Sequence, residues 1–225
     1  SRRQCRRLPY LFSVAPPNLD AGVHSTITPP ERDGFPPTHE LLDQAWRSYL
    51  AAMEQLLTQQ PYLLGQRFTL ADASAYGQLS MNLVDGRSAE LLQGLAPETY
   101  RWLCAIRDGE HRGSRGQLQA SESLGTLLTC ITHTFVPLMQ QNAAAWERYR
   151  ASGQHCFNES AFDRGEALYD GELMGKPFRA VVKTFQVEVW QELQQDWNTL
   201  TPTEQEALLR RYPDLKCLAG APAPA

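Results

Sequence analysis

Thr69-Leu-Ala-Asp72 constrains the fold of this chain more than any other stretch. It is a helix-starting box: the Thr hydroxyl can accept from a backbone N–H one turn on, and the Asp carboxylate can reach back to the Thr N–H. Phe68 stands just before the cap, where an apolar residue fixes how the chain enters the helix. Around and after the box, Leu70-Ala71 and Ala73 through Leu83 are small and apolar almost all round. That composition predicts a helix buried on several sides at the centre of a domain. Ala73 is small for the position that packs against the residue before the cap, so the apolar staple is weak.

The surroundings supply more helices. Pro37-Thr38 opens one that runs to about Gln60, with Leu41, Leu42, Ala45, Trp46, Tyr49, Leu50, Met53, Leu56 and Leu57 on one face at three-and-four spacing. Each large side chain buried there is worth roughly 1.5–3 kcal/mol, which makes this face a main core element. Pro61 ends the helix, and Gly65 is placed for the turn before Thr69. After a turn at Asp85-Gly86, Ser88 is the expected cap of a short helix ending near Gly94. Pro97 suits the first position of the next helix, which ends at Asp108-Gly109.

The loop His111-Arg-Gly-Ser-Arg-Gly116 is basic and glycine-rich but lacks the Lys-Ser/Thr ending of a phosphate loop, so it reads as a mobile surface loop. Ser121 or Ser123 begins a long helix that Pro137 should kink or divide. Tyr169-Asp-Gly-Glu172 and Met174-Gly-Lys-Pro177 are two adjacent turn signals, expected in a hairpin or an irregular loop. Phe178–Trp197 carries both a strand pattern and a helical one through Val182, Phe185, Val189, Leu193 and Trp197; its length favours helix. Thr201-Pro-Thr-Glu204 is a second capping box. The whole predicts an all-α fold over 38–218, with an extended Pro-rich strap over 1–37 and a disordered tail over 219–225.

Of 225 residues, 42% are apolar and 20% charged, with a net charge of −4, which suits a soluble globular protein and gives no reason to expect nucleic acid. The Arg cluster Arg2, Arg3, Arg6 and Arg7 reads as a solvated helix end. No apolar run suits a membrane span or a secretion signal. The five cysteines are scattered without metal-ligand spacing, as free thiols in a cytoplasmic protein would be. The chain does not start with Met, a hint of a longer parent.

Catalytic motifs are missing: there is no HExxH, GxSxG, Walker loop or GxGxxG. His155 beside Cys156 is poorly placed for a nucleophile and its base, since sequence neighbours rarely face each other. The acidic Glu159–Glu172 region lacks EF-hand spacing and reads as solvated surface, so no metal site is assigned.

Tyr62-Leu-Leu-Gly65, Phe68-Thr-Leu-Ala-Asp72-Ala-Ser74 and Tyr76-Gly77, with the amphipathic helix before them, resemble the C-terminal helical domain of glutathione S-transferases. The resemblance is clearest over residues 36–108; the part after 120 looks like a divergent C-terminal extension. It implies a helical bundle, a homodimer and glutathione as co-substrate, attacking small apolar electrophiles. In that family the thioredoxin-like half binds glutathione and activates its thiol, and this chain contains no stretch able to form that half. The helical domain supplies the apolar wall for the second substrate, and the resemblance nominates Trp46, Tyr49 and Tyr76 for it. No catalytic residue carries over. The alternative is a non-catalytic protein-interaction module with the same fold.

Overall fold

A computed structural model of the chain describes residues 35–36, 38–158, 161 and 164–218, leaving the His39 side chain aside. Most of the expected strap and the whole expected tail lie outside the described residues. The chain is mostly helical, as the periodicity predicts, and forms two compact units, one of Ala45–Ile131 and one of the residues before and after it. Two helices, α1 (His39–Leu57) and α5 (Glu122–Ala151), contribute residues to both.

In the Ala45–Ile131 unit, α1 buries Leu50, Met53, Leu56 and Leu57. The turn after it is closed by buried Gln60, whose amide donates to the carbonyls of Tyr62 and Leu63 at 2.8 and 2.9 Å. Gly65 then takes a φ of +103°, and a Cβ there would meet the Gln117 carbonyl oxygen and the Gln119 nitrogen at 2.9 Å. The turn anticipated from sequence is therefore also a close backbone approach that only glycine permits.

Helix α2 (Leu70–Leu79) starts where the box puts it. Asp72 is fully buried. Its Oδ2 accepts from the Thr69 N–H at 2.9 Å and from the Thr69 hydroxyl at 2.7 Å, while Oδ1 accepts from the Leu63 N–H at 2.8 Å. One carboxylate thus ties the helix start to the turn nine residues upstream.

The environment of α2 departs from expectation. Among its residues only Asp72 and Leu79 are buried, and Leu70 is 82% exposed. The small, uncharged surface that predicts an interior helix is open here, because Ala71, Ala73, Ser74 and Gly77 project too little to build a packed layer. Phe68 finds no staple partner at exposed Ala73. It packs edge-on to Tyr62 at 5.8 Å and against His111 at 4.4 Å instead.

A short 3-10 turn (Ser80–Leu83) leads to α3 (Gly86–Leu95). Its cap is Asp85, which accepts from the Ser88 N–H at 2.8 Å; Ser88 lies inside the helix and donates to Asn82 instead. Helix α4 (Pro97–Arg107) begins at Pro97 as expected. Its first free N–H groups, those of Glu98 and Thr99, donate to the Glu54 carboxylate at 2.9 Å each. The 111–116 loop is fastened rather than free: Ser114 Oγ accepts from the Phe68 N–H at 3.1 Å. Just beyond it, the Gln119 N–H donates to the Leu64 carbonyl at 2.9 Å.

Helix α5 is capped by Ser121, which accepts from the Leu124 N–H at 3.3 Å, and continues without a break past Pro137.

In the other unit, two amides on α5 act as latches. Gln141 exchanges two hydrogen bonds of 2.8 Å with the Glu172 backbone, and buried Asn142 exchanges two of 2.9 Å with that of Lys183. They hold a two-stranded antiparallel hairpin, β1 (Leu168–Leu173) and β2 (Lys176–Val181). The turn is Met174-Gly175, at φ +51° and +73°. The Asp170-Gly171 pair is no turn: Gly171 lies in β1 opposite Phe178, whose ring would sit 2.6 Å from an added Cβ. Tyr169, Leu173, Phe178 and Val182 pack with Leu41 and Ala145 into one core.

The ambiguous stretch divides. Phe178–Val181 is strand, and helix begins only with α6 (Thr184–Thr199). Its buried face is Val187, Trp190 and Trp197, leaving Phe185 73% exposed, so the face inferred from spacing was rotated. Helix α7 (Pro202–Arg211) comes after the second capping box, with the Thr201 N–H donating to Glu204 at 2.8 Å. Pro213–Leu218 closes the described chain as a 3-10 turn.

The two boxes share a motif and differ in burial. Asp72→Ala is expected to lower the unfolding free energy by about 2–4 kcal/mol, since it strands the N–H of buried Leu63. Glu204→Ala, at a solvated box, should barely move it; urea denaturation of both variants checks the contrast. In the hairpin, Met174→Asn should stabilise by about 0.5–1 kcal/mol, because Asn takes a positive φ far more readily in this type of turn. Thermal unfolding measures that gain.

Candidate functional site

Two clefts stand out, one in each unit. The Ala45–Ile131 unit carries a cleft of about 290 Å³ between the end of α1 and α4. Leu57, Pro61, Tyr62, Trp102, Ile106 and His111 form much of its wall, with Glu98, Arg101 and Glu110 also in the lining. Trp102 reaches it because α4 buries Thr99, Trp102, Leu103 and Ile106 at helical spacing. His111 is brought in by the turn after α4, where its ring lies at 38° to that of Phe68.

Two side-chain nitrogens, the Trp102 Nε1 and the His111 Nδ1, are buried without a hydrogen-bond partner among the described residues. A buried unpaired donor costs about 1–3 kcal/mol. Arg101 is engaged by Glu98 one turn away.

The smaller cleft, about 80 Å³, belongs to the other unit and lies over the hairpin core, lined by Leu41, Leu138, Tyr169, Phe178, Arg179 and Lys183 among others. Burial lowers the pKa of the Lys183 ammonium, and Arg179 is held by Asp170 across the strands at 2.6 and 2.9 Å.

Of the residues nominated from sequence, Trp46 and Tyr49 lie three apart on α1, both half-buried, and Tyr76 is half-buried on α2. None of the three lines either cleft. Burial, and then the nearby Cys130 thiol, raise the pKa of the Tyr49 phenol. Thr69 and Asp72 form the capping box of α2, and Phe68 packs against Tyr62 and His111. The Trp102–His111 pair escaped notice because Trp102 falls on an ordinary core face and His111 in a loop. The available signal was chemical: an indole N–H on a core face needs an acceptor.

Among the described residues, no group of three or more His, Cys, Asp and Glu is arranged to hold a metal ion. Among the described residues, Cys104, Cys130, Cys156 and Cys217 are in no disulfide. Within the described residues no helix is long and apolar enough to cross a membrane.

Residues 36–100 match the family model described as glutathione S-transferase, C-terminal domain. That segment resembles a glutathione S-transferase helical domain. It covers α1, the Asp72-tied turn, α2, α3 and the start of α4, the part where the sequence resemblance is strongest. No curated protein and no solved structure matches the chain.

Within this glutathione S-transferase-like segment, Tyr49 gives a test by pH. Its folded pKa lies above its unfolded one, so it contributes stability that is present below the usual tyrosine range and lost as pH rises through the folded value. Unfolding free energy should therefore fall as pH rises above about 10, and fall less steeply in Tyr49→Phe. Urea titrations at stepped pH read this directly.

Proposed function

We propose that this chain is the helical portion of a glutathione S-transferase-like protein, which with a thioredoxin-like half conjugates glutathione to small apolar electrophiles. The observation that carries this reading is the match over residues 36–100, together with the Asp72 carboxylate that builds the turn and helix start of that segment. In this reading Trp46, Tyr49 and Tyr76 form the apolar wall for the second substrate, the protein is a cytoplasmic homodimer, and glutathione binds chiefly to the other half.

The division of labour rests on the chemistry. Conjugation needs a thiolate, and a thiol becomes a better nucleophile at neutral pH when a hydrogen-bond donor stabilises its anion. No residue here is assigned that role. The helical portion contributes an apolar surface that holds the electrophile near the sulfur, a gain from proximity.

A second reading, a non-catalytic protein-interaction module, is favoured by one specific observation. Large apolar side chains from α2 to α3 are open to solvent, with Leu70 82%, Met81 69% and Val84 81% exposed. Exposed apolar residues in that density are characteristic of surfaces that a partner covers.

Glutathione-agarose chromatography of the complete reading-frame product, with a subsequent conjugation assay using 1-chloro-2,4-dinitrobenzene, separates the two. Retention and turnover are expected. A protein that flows through and conjugates nothing overturns the catalytic reading in favour of the interaction module.

A further inference from the structure

We draw no further inference here: the strongest candidate, the exposed apolar surface of α2 and the 3-10 turn after it, where Leu70, Met81 and Val84 are open to solvent, carries none because nothing in the structure shows what covers it.

Discussion

The Asp72 carboxylate holds the Ala45–Ile131 unit to its topology. Taking a carboxylate fully out of water is costly unless hydrogen bonds replace the lost hydration. Here three donors do so: the N–H groups of Leu63 and Thr69 and the Thr69 hydroxyl. Two are backbone groups that a turn and a helix start would otherwise leave unpaired. Gly65 closes the chain between them, at a φ that other residues resist. The unit's entry into α2 is thus over-determined.

The same solution recurs with different chemistry. Glu54, on α1, receives the first N–H groups of α4, where the helix dipole also favours an anion. In the other unit neutral amides serve: Gln141 and Asn142, adjacent on α5, each pair with both polar groups of one backbone residue. A planar amide offers a donor and an acceptor side by side, as a neighbouring strand does. The two units use acids at helix starts and amides at strand ends. In each case a side chain completes backbone hydrogen bonding that secondary structure leaves open.

What these anchors do not do is cover α2. The small-residue face of α2 stays open to solvent although the helix start is fixed firmly, and Leu70, Met81 and Val84 are exposed as well.

Much of this was legible in the sequence, because local signals are written in neighbouring residues. The box Thr69–Asp72, the Pro97 helix start, the Gly65 turn and the periodic face of α1 all depend on contacts within a few positions, and all appear where expected. The resemblance over 36–108 rests on those same residues, and the family match over 36–100 supports it. The failures are of another kind. Ser88 lost the cap to Asp85, and Phe178–Val181 became strand where length favoured helix, because pairing with β1 settled it. Gly171 looked like a turn residue and proved to be the gap that admits the Phe178 ring. The sequence by itself determined where α2, α4 and α7 begin and which family the 36–100 segment resembles, since caps and periodicity are short-range physics. Only the tertiary structure decided which faces are covered, that Asp72 reaches Leu63, and that Trp102 and His111 share a cleft. Those facts depend on which distant residues meet, and no spacing along the chain encodes that directly.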